Sequence, residues 1–179
     1  MSTIAELNPQ IVWKNFYELT KIPRPSKFES EAAKYICDFG KNLGLESFQD
    51  EIGNVIIRKP ATPGMEDRMG IILQAHVDMV PQKNNDVEHD FKKDPIKPRI
   101  VDDMVYATGT TLGADNGLGC AVAMAVLESK ELVHGPIEVL ITIDEETGMT
   151  GARALKPGVL NGDILINLDS ETEGELYVG

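Results

Sequence analysis

The sequence predicts an α/β fold: a mixed, largely parallel sheet flanked by helices. Two observations carry this expectation. Two helical patterns come first, and strand-like apolar runs then alternate with further helical patterns. Most of the later apolar runs also end on a histidine or a carboxylate, as expected where an open sheet collects ligands at the carboxyl ends of its strands.

In chain order, Asn8 reads as an N-cap and Pro9 as the first helical residue. Ile11, Val12, Phe16 and Leu19 then form an apolar stripe to about Thr20. Ile22-Pro23-Arg24-Pro25 ends that helix, because proline lacks a backbone donor and biases its predecessor toward extended conformations. Ser26 and Glu29 form a capping-box pattern for a second helix, whose buried face is Ala32, Ala33, Ile36, Phe39 and Leu43 and whose stop is Gly44. Residues 54–57 are β-branched and strand-like, and 59–64 break the chain with two prolines and a glycine.

Residues 69–75 form a nearly continuous apolar run, the pattern of a strand covered on both faces, with His76 at its carboxyl end. The polar, proline-bounded stretch 81–98 predicts an exposed excursion, and 99–106 a further strand. Residues 118–132, rich in Ala, Val, Leu and Met, predict a buried helix with Asp115 at or just before its first turn. Strands are expected at 137–143 and 164–168, a short helix at 149–155, and the start of one more strand at 175–178. Because the sequence stops within that last strand-like segment, it reads as a fragment of something longer.

A hydrophobic fraction of 42% supports a globular chain, and 179 residues suffice for a sizeable core. The net charge of −12 argues against tracking nucleic-acid phosphates or an anionic membrane surface. No apolar run approaches the ~20 residues that span a bilayer, and residues 1–14 lack the apolar stretch of a signal peptide, which leaves a cytoplasmic location as the default. Cys37 and Cys120 sit within apolar helical patterns and read as buried reduced thiols.

Four motifs carry the chemistry: His76-Val77-Asp78, Gly113-Ala114-Asp115-Asn116-Gly117, Asp144-Glu145-Glu146-Thr147-Gly148 and Leu168-Asp169-Ser170. One imidazole among hard carboxylates suits zinc, manganese or cobalt. A carboxylate can bridge two cations where an imidazole cannot, and Asp115 is the bridging candidate. His76 and Asp78, two apart on a strand, share a face, so Asp78 can accept from the ring nitrogen turned away from a metal. Glu145 and Glu146 are adjacent and cannot point the same way; one can bind metal while the other serves as general base. His89 and His134 lie in polar loops and are left outside the site.

Together with Gly109-Thr110-Thr111-Leu112 and Ile22-Pro23-Arg24-Pro25-Ser26, these motifs resemble the bacterial aminoacyl-histidine dipeptidases. Those belong to a dinuclear zinc peptidase group with carboxypeptidase G2-like and aminoacylase-1-like relatives. The resemblance runs over essentially the whole chain. It implies two divalent metal ions, zinc first and cobalt or manganese as substitutes, with His76 and Asp169 holding one, Glu146 the other and Asp115 bridging. It further implies Glu145 as general base, Asp78 as the group that orients His76, and a cis peptide between Asp115 and Asn116.

By the same resemblance, residues 1–179 correspond to the N-terminal part of a catalytic domain. The second metal's histidine would lie near the C-terminus of a longer chain, and a separate lid domain would carry the dimer contacts of a full-length homodimer. The implied substrate is a small peptide of Xaa-His type such as carnosine, with weak or no turnover by this stretch alone. A tripeptide aminopeptidase or other amidohydrolase of the group, or a non-catalytic metal-binding fragment, are the alternatives.

Overall fold

The computed structural model describes residues 3–170, 172, 174, 175, 177 and 178. After a 3-10 turn, Ile4–Glu6, come helices α1 (Gln10–Thr20) and α2 (Ser30–Asn42). Strands β1 (Glu46–Gln49), β2 (Val55–Lys59) and β3 (Ile71–His76) follow, then β4 (Pro98–Val101) and β5 (Met104–Ala107). Helix α3 (Ala114–Glu128), strand β6 (Ile137–Thr142), two single-turn helices α4 (Glu145–Gly148) and α5 (Thr150–Arg153), and strand β7 (Ile164–Asn167) complete the order. Among the described residues no helix is long and apolar enough to cross a membrane.

The main sheet runs β1-β2-β6-β3-β7. β3 is parallel to both β6 and β7, whereas β1 and β2 join as antiparallel neighbours on one side. The mixed sheet is therefore present, and its parallel part brings the carboxyl ends of β3, β6 and β7 together.

Alternation along the strands sorts the core. Val55, Ile57, Ala75, Val139 and Ile141 face α2 and α3, where they meet Ala33, Ile36, Cys120 and Met124. Ile56, Ile72 and Leu140 point to the other face, covered by Leu155, Val159 and Leu160. α3 is in turn covered by α1, through Phe16 and Ala121. Helix α3 thus lies between the sheet and α1, which is why its sequence shows little polarity on any side. Cys37 and Cys120 are both free and buried.

Several local expectations give way to tertiary context. The Pro9 carbonyl already accepts from Val12 and Trp13, so Pro9 caps α1 and Gln10 begins it. The Ser26/Glu29 capping box does not form: the Ser26 hydroxyl donates to Asp78, and Glu29 accepts from the backbone N–H of Asp144. The single strand expected at 99–106 is a hairpin, because Asp102 turns left-handed at φ 55° between β4 and β5.

Helix α3 starts earlier and stops earlier than 118–132, with Lys59 Nζ donating to the carbonyls of Val126 and Ser129 at its end. The helix expected at 149–155 is the single turn α5, separated from α4 because Met149 adopts φ 54° between them. β1, formed by polar Glu46, Ser47 and Gln49 around Phe48, carries no apolar run to announce it. The strand expected at 175–178 includes Leu176, which lies outside the described residues; Glu175, Tyr177 and Val178 are in no strand.

Gly40 offers a test of this packing. A Cβ built there would lie 2.3 Å from Ser47 Oγ and 2.9 Å from Ile57 Cγ2, so α2 rests directly on β1 and β2. Gly40→Ala gains up to about 1 kcal/mol in helix propensity but overpacks a filled site at about 1–3 kcal/mol. A lower urea midpoint with an unchanged slope is expected, and a raised midpoint would show that the contact yields easily.

Candidate functional site

The site lies where the three parallel strands end. His76 is the last residue of β3; Asp78 follows it, Glu145 and Glu146 open α4 just after β6, and Asp169 comes two residues after β7. Asp115 stands at the start of α3 in non-helical backbone (φ −77°, ψ 115°), preceded by Gly113 at φ 69°. That left-handed turn, which glycine adopts without steric penalty, carries the chain back across the strand ends. The Asp115–Asn116 peptide is cis, as the resemblance implies.

All six predicted site residues converge. His76 is 1% exposed, and its Nε2 lies 3.0 Å from Asp115 Oδ1, 3.5 Å from Asp169 Oδ2 and 3.9 Å from Glu145 Oε2. Donor atoms of His76, Asp115 and Glu146 all fall within 4.8 Å of one another. Behind the ring, Nδ1 is 3.3 Å from Asp78 Oδ1, though not aligned as a formed hydrogen bond. His89 instead packs edge-on against Phe91, and His134 Nδ1 contacts the Gly135 carbonyl; neither joins the cluster.

Asp78 is fully buried and organises the acidic loop. Its Oδ1 accepts from the Glu145 N–H at 2.9 Å, and its Oδ2 from the Glu146 N–H at 3.3 Å and the Ser26 hydroxyl at 2.7 Å. One carboxylate thus faces the imidazole and fixes the backbone of the two glutamates.

Other residues, to which the motifs gave no role, hold the loops. Asn116 is 4% exposed; its Oδ1 accepts the His76 N–H, and its Nδ2 donates to the Leu168 carbonyl and to Asp169 Oδ1. Room for that side chain comes from Gly119, where a Cβ would fall 2.3 Å from Asn116 Oδ1. Asn54, wholly buried, accepts from the Ile143 N–H and donates to the Gly151 carbonyl, bracing the loop after β6. The only sequence hint was a polar residue beside a glycine or a strand, which any turn would also supply.

Electrostatics follow from the crowding. Burial alone would lower the His76 pKa, but its contact with Asp78 and the charges of Asp78, Asp169 and Asp115 raise it to about 9. Burial would raise Asp78, yet His76, the Glu145 N–H and Ser26 bring it down to about 2. Burial lifts Glu146 and Asp169, and the Asp115 charge adds to both. The Cys120 thiol, pushed up to about 12 by burial, donates to the His76 carbonyl. An imidazole nitrogen aimed at carboxylates that repel one another is a donor set that divalent cations fit, being hard, anionic and free of thiolate.

These shifts predict how the metal-free chain responds to pH. Folded His76 keeps its proton to about 9 against 6.5 for the free side chain, so its contribution is complete below pH 6.5 and is lost as the pH rises through 9. Asp78, at about 2 against 3.8, contributes above pH 3.8 and loses its contribution as the pH falls through 2. Urea unfolding in EDTA should therefore show lower stability at pH 9 than at pH 6.5, with Asp78→Asn flattening the difference. Equal stability of the unmodified chain at the two values would count against the His76–Asp78 coupling.

Known proteins are similar to this chain over much of its length. Residues 72–174, more than half of the chain, match the model of "Peptidase family M20/M25/M40". Over its whole length the chain is 55% identical to the cytosol non-specific dipeptidase of Escherichia coli (strain K12), of which it spans 37%. The crystal structure of an aminoacylhistidine dipeptidase from Vibrio alginolyticus superposes with a TM-score of 0.94 at 57% identity, over 97% of this chain and 35% of that one. The aminopeptidase PepT of Bacillus cereus matches with a TM-score of 0.77 at 30% identity, over 93% and 44%. The chain therefore spans little more than a third of the length of the dipeptidases it matches. With its strand-end imidazole and carboxylates in a sheet that superposes on theirs, this chain belongs to peptidase family M20/M25/M40.

Proposed function

We propose that residues 1–179 form the N-terminal part of the catalytic domain of a two-metal dipeptidase acting on small peptides, Xaa-His dipeptides such as carnosine among them. The observation that carries this reading is the placement of His76 Nε2 within 3.0 to 3.9 Å of Asp115, Asp169 and Glu145. The names of the Escherichia coli and Vibrio relatives support the substrate class, and that of the former supports a cytoplasmic location. A homodimer is proposed for the full-length protein.

In this reading His76 and Asp169 would hold one cation and Glu146 the other, with Asp115 shared between them. Zinc is the expected metal, with cobalt or manganese as substitutes. Divalent cations held there would acidify water and polarise the scissile carbonyl. Glu145 takes the proton from the attacking water and returns it to the leaving amine; its Oε2 lies 3.9 Å from His76 Nε2, at the edge of the ligand cluster. Asp78 holds the imidazole by its far nitrogen, keeping Nε2 turned toward the carboxylates.

His89 and His134 lie outside the cluster, so within residues 1–179 the cation assigned to Glu146 would have no imidazole ligand. Slow carnosine turnover by the purified chain is accordingly expected with added zinc, and rapid turnover would refute that expectation. Zinc content measured after dialysis should collapse in His76→Ala and persist in Glu145→Gln, while Glu145→Gln lowers any turnover by about 10²–10⁴. Failure of the unmodified chain to retain zinc would overturn the metal-centre reading. Comparing dipeptides with and without histidine would settle the breadth of substrate.

A further inference from the structure

We infer that Arg24 is a positioning residue of the proposed metal centre: its guanidinium ties the carboxyl end of β3 to the turn before α3 and so holds Asp115 opposite His76. Arg24 is 2% exposed. Its Nη1 donates to the Val77 carbonyl at 2.8 Å, with the Asp78 carbonyl at 3.4 Å, and its Nη2 donates to the Gly113 carbonyl. The two nitrogens of one planar group therefore join segments 35 or more residues apart, each two residues or fewer from a proposed ligand or its orienting acid.

The surroundings are shaped to this fork. A Cβ at Gly113 or at Gly117 would lie 2.5 Å from Nη2, so both glycines leave the space that the guanidinium fills. The main chain of Arg24 is itself fixed to the strand end, since its carbonyl accepts the Met79 N–H at 3.1 Å and Pro25 bridges Met79. Among the described residues no carboxylate lies within ion-pair distance of the guanidinium. A buried cation without a direct counter-ion is costly to keep where an apolar side chain could fill the same volume. What an apolar residue, or lysine, cannot supply is a rigid fork that reaches two carbonyls at once.

This inference rests on the metal-centre reading, and cobalt(II) alone separates the two. Cobalt titration of the unmodified chain, followed by visible absorption, should show saturable bands; their absence would overturn the metal centre, and the role of Arg24 with it. Given those bands, Arg24→Lys keeps the charge and should bind cobalt about 10- to 100-fold more weakly, with altered bands. Gly117→Ala keeps the arginine but places a methyl group against Nη2, and should do the same, which covers the case in which Arg24→Lys fails to fold. Ile56→Ala, on the far face of the sheet, supplies a comparable loss of melting temperature and should leave cobalt affinity and bands unchanged. Wild-type affinity and bands in both Arg24→Lys and Gly117→Ala, or an equal loss in Ile56→Ala, would overturn the positioning role.

Discussion

The carboxylate of Asp78 is the interaction on which the site depends. It is wholly buried, and an ionised acid removed from water costs several kcal/mol unless donors replace its hydration. Those donors come from two separate stretches, the Ser26 hydroxyl before α2 and the N–H groups of Glu145 and Glu146 after β6, with the His76 ring facing the carboxylate at 3.3 Å from the end of β3. Losing any of them leaves the charge less well solvated. Solvating one acid therefore brings the imidazole and the two glutamates into register, and the hydrophobic core need only deliver the strand ends to within reach.

That delivery explains why the main features of the site could be read from the sequence. β-strands in parallel place their carboxyl ends on one edge, so motifs at the ends of 69–75, 137–143 and 164–168 had to meet if those runs were neighbours. The apolar runs predicted the strands, and the polar residues after them predicted the cluster. Asp115 required the further step of a helix packed on the sheet with its start over the same edge, which the small residues of α3 allow.

What the sequence concealed shares one physical cause: short polar side chains satisfy whichever partner the fold brings near. Ser26 and Glu29 match a capping box, yet burial against β3 and β6 gives them Asp78 and the Asp144 N–H as better-placed partners. Asn116, Asn54 and Arg24 carry no periodic signal, and their partners lie tens of residues away. The β4–β5 hairpin hid because a two-residue turn at Asp102-Asp103 leaves the composition of 99–106 strand-like throughout.

The cluster also combines rigidity with exposure in a way that suits its proposed task. His76 and Asp78 are buried and fixed, whereas the Asp115 side chain is 70% exposed and those of Glu145 and Asp169 are about 30% exposed. The anchored pair sets the direction of Nε2, and the exposed acids present charge to the solvent side, where small ions and peptides arrive. Carboxylates this close repel one another: burial first, and then the Asp115 charge, push Glu146 and Asp169 upward. The repulsion is relieved when positive charge enters between them. The same crowding that destabilises the acids when they stand alone therefore becomes the driving force for binding cations, and the buried Asp78 keeps the imidazole in place in either state.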